Sequence, residues 1–486
     1  MTVPPDPLLD ELERDMEPAA AAAFLALVTD YLAGTRTGDG PVSTARTPGE
    51  LAARLAEALP AEGRPLADVI ARLRADVLPD CNRLAHPRAM GHQVSAPLGA
   101  AVWAEALTAA LNQSAAVWEM SPVGTILELQ VIRWMSELAG LGPSAGGTFT
   151  SGGTEATFAG LLAARHAALP DAWARGVGAD PPVVVCGEHA HYAVGRAVGE
   201  LGLGAANVVV VPSRGFTMSV DALAETLDGL RAAARRVMAV VATAGTTATG
   251  SFDDLDAIGR LCEQHGHWLH VDAAHGGSAL FSTAHRHRMA GVGRARSVAW
   301  DPHKMMLLPL SAGVVLVREQ RDLDAAFAQQ APYLFHVRED GRVWDQGVRS
   351  FACSRRVDAL KVWVAIQRFG ATGLGRIYDR LCATAGALHD AVVARHDFEA
   401  IHEPESNIVC FRYTGSRRLD EAALDGLNLR LREEFNRGGD GWITTTVLGG
   451  CRVLRATVMN PRTTAVDLAC VLDGLAEVGA RLAGDA

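Results

Sequence analysis

Of the 45 basic residues only two are lysines, Lys304 and Lys361, so the other 43 are arginines. Lys304 stands in 299-AWDPHKMMLLP-309, between a histidine and two methionines. An ε-amine can lose its proton and condense with an aldehyde, whereas a guanidinium with a pKa above roughly 12 cannot. A second candidate is Asp272, which closes the apolar run 268-WLHVD-272. A buried acid needs a partner, either a ligand or, as a cap, the helix that follows. The third is 147-GTFTSGGTEATFAG-160, an extended run, a glycine pair and a helix start. Backbone N–H groups at such a turn can cradle a phosphate, or simply begin a helix. It carries neither GxGxxG nor a following GK[ST]. A Schiff-base lysine, an acid facing a pyridinium nitrogen and a Gly-rich phosphate cup together describe a site for pyridoxal 5'-phosphate (PLP).

Other candidates carry less. Lys361, in 358-DALKVWVAIQRFG-370, falls on an amphipathic helix, which predicts a packed stem and a charged head in water. The pairs 189-HAH-191, 265-HGH-267 and 285-HRHR-288 lack HEXXH and companion cysteine ligands, so no metal site is expected. His191, which opens a helix after a strand, is placed to stack on a cofactor ring.

These residues need a scaffold, and the hydrophobic pattern supplies one. The runs 182-PVVVC-186, 207-NVVVVP-212, 237-VMAVVATAG-245 and 267-HWLHVDAA-274 alternate with helical segments at 191–201, 220–234 and 255–265. Strands that are apolar on both faces, separated by single helices, predict a mostly parallel sheet covered on both sides. Further strands are expected at 297–300 and 313–317, and strong helices at 97–111 and 122–138. Residues 1–85 read as an N-terminal helical segment, 86–354 as the large domain and 355–486 as a smaller α+β domain.

With a net charge of −10 and no dense basic cluster, a nucleic-acid partner is not expected. The start, MTVPPDPLLDELERDMEP, lacks the basic-then-apolar order of an export signal, and the apolar run 19–28 is too short to span a bilayer. Eight cysteines without a CxxC pair fit free thiols in a reducing, cytoplasmic setting.

The motifs 86-HPRAMGHQ-93, 118-WEMSPVGTILE-128, 150-TSGGTEAT-157, 188-EHAHYAV-194, 242-ATAGTTATGSFD-253, 270-HVDAAHGG-277 and 298-VAWDPHKMM-306 occur in order. With them the chain resembles the group II PLP-dependent amino-acid decarboxylases, from about His86 to the end. The string 303-HKMMLLPLSAGVVLVRE-319 is similar to glutamate and cysteine-sulfinate decarboxylases. The resemblance implies the α/β PLP fold type I of the aspartate aminotransferases, with a mostly parallel seven-stranded sheet, a small C-terminal α+β domain and an N-terminal helical segment. It also implies a homodimer with shared active sites. It makes Lys304 the cofactor-bearing lysine and Asp272 the partner of the ring nitrogen. His191 and Ala274 would lie on the two ring faces and Thr247 beside the ring, with Gly153, Thr154 and His303 near the phosphate. Arg455, in 452-RVLRATVMNP-461, matches the arginine that takes the substrate α-carboxylate, and Tyr333 the loop tyrosine that returns a proton after carbon dioxide leaves.

Two departures matter. Asp301 stands where the animal enzymes of the family have Asn. The segment 90-MGHQVSA-96 puts His92, Gln93 and Ser95 where aromatic decarboxylases have an aromatic pocket, which favours a short polar, acidic substrate of the glutamate, aspartate or cysteine-sulfinate type. The alternatives are 2,4-diaminobutyrate, which 111-LNQS-114 and 118-WEMSP-122 suggest, an aromatic amino acid, an aldehyde-forming reaction on the same fold, or a non-catalytic binding subunit.

Overall fold

The computed structural model describes residues 7–327, 331, 335, 344–415 and 419–484. Two compact units emerge: one holds residues 93–386 and 402–409, the other residues 1–92, 387–401 and 410–486. The N-terminal segment is thus grouped with C-terminal residues, and residues 355–386 with the large unit.

The large unit is built on a seven-stranded sheet. In chain order its strands are β1 Gly146–Thr150, β2 Val183–Gly187, β3 Val208–Val211, β4 Val237–Thr243, β5 Trp268–Asp272, β6 Ser297–Trp300 and β7 Gly313–Val317. They lie side by side as β1-β7-β6-β5-β4-β2-β3. Only β7 runs against its neighbours β1 and β6; the other pairs are parallel. The carboxyl ends of β1, β2, β4, β5 and β6 therefore share one edge, where open α/β sheets bind ligands. Strands β1, β2, β5, β6 and β7 are buried throughout, as their runs of β-branched and apolar residues require.

Helix Gly153–Ala168 lies directly on this sheet because it presents small residues to it, among them Ala156, Ala159, Gly160 and Ala163. A Cβ on Gly160 would come within 2.6 Å of His270 Nδ1 and 3.0 Å of Ser297 Oγ. His270 and the Trp268 indole each approach that serine hydroxyl at 2.8 Å, which satisfies polar groups in the core. A second buried contact holds β1 in place. Arg355 bonds Glu128 at 2.9 Å and the Phe149 carbonyl at 3.2 Å, and Glu128 accepts the Phe149 N–H at 3.3 Å. The glycine pair starts three residues beyond Phe149.

The helix-period expectations for 122–138 and 255–265 match the observed helices Pro122–Leu138 and Leu255–His265. Lys361 is a correction. It is fully buried, with Nζ 2.8 Å from Glu105 Oε2 and 3.0 Å from Asp358 Oδ1. Helical periodicity gives the face on which a residue lies, but not that helix Gly99–Leu111 brings Glu105 over it.

The four-stranded sheet of Phe398–Ala400, Ile408–Tyr413, Cys451–Thr457 and Thr444–Leu448, in that spatial order, belongs, except for Ile408 and Val409, to the other unit. Residues 85–90 are stitched to its C-terminal part: Met90 N–H donates to the Trp442 carbonyl at 2.7 Å, and Thr457 N–H to the Met90 carbonyl at 2.8 Å. The apolar run 19–28 belongs to a longer helix, Pro18–Arg36, which by length and composition alone matches a minimal membrane span.

Candidate active site

At the carboxyl edge of the large sheet is a cavity of about 300 Å³. Its lining includes Gly153, Thr154, His191, Thr247, Asp272, Ala274, His303 and Lys304, which is every residue the sequence assigns to the cofactor. Each is delivered by a strand end: β1 leads into Gly153 and Thr154, β2 into His191, β4 into Thr247, β5 into Asp272 and Ala274, and β6 into His303 and Lys304.

The turn after β4 is held by its own hydroxyls. Thr246 and Thr249 lie 2.8 Å apart, and Thr249 and Ser251 2.9 Å. Gly245 has φ +86°, and a Cβ there would meet Gly276 N at 2.8 Å, so the two strand-end turns pack backbone to backbone. Buried Asp253 accepts N–H bonds from Thr243 and Met218, both at 2.7 Å, and ties down the end of β4.

The acid at the end of β5 is buried, and its Oδ1 accepts the Ala274 N–H at 3.1 Å. Burial pushes the Asp272 pKa up, while Lys304 and His191 oppose that shift. Burial likewise depresses the pKa of His191, which keeps its ring neutral near pH 7. A carboxylate pushed up in this way is stabilised by a cation brought against it, such as a protonated ring nitrogen.

Lys304 sits in a turn whose N–H donates to the Asp301 carbonyl at 3.0 Å. Its Nζ lies 3.1 Å from Asp301 Oδ2. His303 places Nδ1 2.8 Å from the Ala312 carbonyl and Nε2 3.6 Å from Asp301. The Ser95 hydroxyl is buried and bonds the His303 and Leu308 carbonyls at 3.2 and 3.4 Å. It therefore supports the lysine turn from below, a role its place in a polar heptapeptide did not suggest.

The helix that starts at Gly153 has no side-chain cap on its N-terminus. A Cβ on Gly153 would lie 2.7 Å from the Ala274 Cβ and 3.0 Å from Asp301 Oδ2. Uncapped N–H groups at a helix start, approachable because residue 153 has no side chain, suit a phosphate. The residues present thus fit PLP: an amine for its aldehyde, a buried acid for its ring nitrogen and a helix start for its phosphate. His275 also lines the cavity, with Nε2 2.7 Å from Asn407 Oδ1. His275 falls within 270-HVDAAHGG-277, where nothing local signals its place.

The substrate-side candidates divide between the units. His92 and Arg455 belong to the smaller one, where the His92 ring meets Trp442 edge-on at 5.3 Å and Arg455 is buried on the strand Cys451–Thr457. Burial first, then the positive charges of Arg455 and Arg432, push the His92 pKa down. Gln93 opens the large unit, with its Nε2 buried and without a hydrogen-bond partner. Tyr333 lies outside the described residues.

Residues 48–414 match the family model of the pyridoxal-dependent decarboxylase conserved domain. The chain belongs to this family. It is 35% identical over 428 residues to L-2,4-diaminobutyrate decarboxylase of Rhizobium meliloti (strain 1021), covering 87% of this chain and 84% of that protein. To mouse cysteine sulfinic acid decarboxylase it is 34% identical over 408 residues, 82% of each chain. The crystal structure of Oryza sativa TDC with PLP and tryptamine superposes with a TM-score of 0.89 at 25% identity, over 99% of this chain and 100% of that one. This pyridoxal-dependent decarboxylase is accordingly a fold-type-I, PLP-dependent carboxy-lyase that acts on an amino acid.

Proposed function

We propose that the enzyme removes the α-carboxylate of a short, polar, acidic L-amino acid, with Lys304, Asp272, His191 and Tyr333 as its catalytic residues. The observation that carries the roles is the convergence of Lys304, Asp272 and the Gly153 helix start on one cavity. When bound, PLP supplies an aldehyde for the substrate amine and a cationic ring that accepts the electron pair left as the carboxylate departs.

The chain's own residues do the rest. Lys304, on the cavity wall, would hold the cofactor through its ε-amine. Asp272 would keep a proton on the ring nitrogen, because a buried carboxylate tolerates its charge only against a cation. The neutral His191 ring offers a flat face without adding charge. Tyr333 delivers the proton that replaces the lost carboxyl group on the α-carbon. Arg455 takes the substrate carboxylate, with His92 and Gln93 reading the side chain.

The acidic substrate class is supported by the Arg455–Arg432 positive field around His92, which would repel a cationic side chain. The cysteine sulfinic acid decarboxylase relative points the same way. The relative that acts on 2,4-diaminobutyrate supports the second reading, a diamine-forming enzyme. A homodimer is supported by large apolar side chains left exposed on the large unit, Trp103, Leu107, Leu111, Met120, Val123 and Ile126. Eight free thiols and the net charge of −10 support a cytoplasmic protein without a nucleic-acid or membrane partner.

The deciding experiment is a carbon dioxide-release screen over glutamate, aspartate, cysteine sulfinate, 2,4-diaminobutyrate and the aromatic amino acids. It is run on the PLP-loaded enzyme and on Lys304→Ala. Release from an acidic substrate, lost together with the covalent cofactor band in Lys304→Ala, is expected. Release from diaminobutyrate alone would select the second reading, and a band unchanged in Lys304→Ala would end the lysine assignment.

A further inference from the structure

Asp301 is only 1% exposed, and its backbone is hydrogen-bonded on both sides. Its N–H donates to the Ala274 carbonyl at 3.1 Å, and its carbonyl accepts the Lys304 N–H at 3.0 Å. One carboxylate oxygen, Oδ2, lies 3.1 Å from Lys304 Nζ and 3.6 Å from His303 Nε2. The same oxygen would be 3.0 Å from a Cβ on Gly153, so it sits against the first residue of the uncapped helix. The other oxygen, Oδ1, is buried and has no hydrogen-bond partner.

The charge around this carboxylate is lopsided. Among the described residues lining the cavity, Lys304 is the sole lysine or arginine, while Asp272 and Asp301 are both acids. His191 and His303 are held toward their neutral forms by burial. A phosphate brought to the Gly153 helix start therefore meets a fixed anion at the same helix end, and that anion already pairs with the cavity's one strong cation. Like charges within about 4–6 Å in a partly dry site weaken anion binding by tenfold or more. A neutral amide of the same shape would add an N–H donor and no charge.

We propose that Asp301 is a positioning residue that holds Lys304 as its counter-ion and competes with the cofactor's phosphate for the helix start, so that this chain binds PLP more loosely than a chain with an amide there. The proposal rests on the reading above that PLP occupies this cavity. It makes exchange of the cofactor, and hence the fraction of loaded enzyme, a property set by residue 301.

The test uses the full-length apoprotein and reads binding instead of turnover. Inorganic phosphate is titrated calorimetrically and PLP by absorbance, into wild type, Asp301→Asn, Asp301→Ser and Asp301→Glu. Asn and Ser, both neutral, should each tighten phosphate and PLP by about tenfold or more, and slow PLP loss on dilution in proportion. Glu keeps the charge and should stay within a few-fold of wild type. Unchanged or weaker phosphate binding in both neutral variants would overturn the proposal, as would equal tightening in Asp301→Glu. The functional reading fails differently: wild type and all three variants would then bind PLP no better than they bind phosphate.

Discussion

Lys361→Met tests whether the buried cation found in the large unit matters energetically. Wild type places Lys361 Nζ 2.8 Å from Glu105 and 3.0 Å from Asp358, with no part of the side chain in water. Methionine keeps most of the apolar stem, so packing changes little and the lost charge dominates. Glu105 retains a second partner, Arg356, at 2.7 Å. Asp358 is the group left without its cation. Removing one partner of a buried pair costs about 3–5 kcal/mol. For a cooperative unit of about 300 residues, that lowers the melting temperature by roughly 5–8 °C.

The loss should also depend on pH in a defined direction. Burial already raises the Asp358 pKa, and Lys361 is the largest influence holding it down. Without the lysine, the folded-state pKa rises further above the unfolded value. The folded variant then binds a proton more readily than the unfolded chain, so its stability falls as pH rises through the carboxylate range and recovers on acidification. Urea denaturation of wild type, Lys361→Met and Asp358→Asn/Lys361→Met between pH 5 and 8 reads both effects. The double variant, which has no orphaned charge, should regain more than half of the loss. A single-variant loss below about 1 kcal/mol, or one that stays constant across this range, would refute the argument.

Two further outcomes follow from the same geometry. Gly153→Ala puts a methyl 2.7 Å from the Ala274 Cβ and 3.0 Å from Asp301 Oδ2, neither of which can move far; PLP affinity should fall by about tenfold or more while the melting temperature shifts by a few degrees at most. His270 is fully buried and its pKa is pushed down to about 3, so below about pH 6.5 the unfolded chain takes up a proton that the folded chain refuses. Stability should therefore drop by about 1.4 kcal/mol per pH unit from this residue as pH falls from about 6.5 toward 3, and His270→Gln should remove that part of the slope in denaturation series.

The sequence carried the parts of this enzyme whose signals are local. Runs such as 183-VVVC-186 and 237-VMAVVAT-243 can hardly be anything but strands buried on both faces, and the helices 122–138 and 255–265 announce themselves by period and boundaries. Because chemistry in an α/β sheet gathers at strand ends, Lys304, Asp272, His191 and the Gly153 turn could be named before any coordinates. Long-range pairing was not legible. Nothing around Lys361 announces Glu105, which stands 256 positions earlier (361 − 105) on another helix. Ser95 reads as a pocket residue until the backbone of residues 303–308 is folded over it. The Arg355–Glu128 pair that steadies β1 joins two segments whose sequences say nothing of each other. Even Asp301, only three residues from Lys304, shows as an oddity in the chain; its burial against the Gly153 helix start is what makes it a competitor for the phosphate. Backbone preference is decided within a few residues, whereas the cost of a buried charge depends on which distant group the fold brings to meet it.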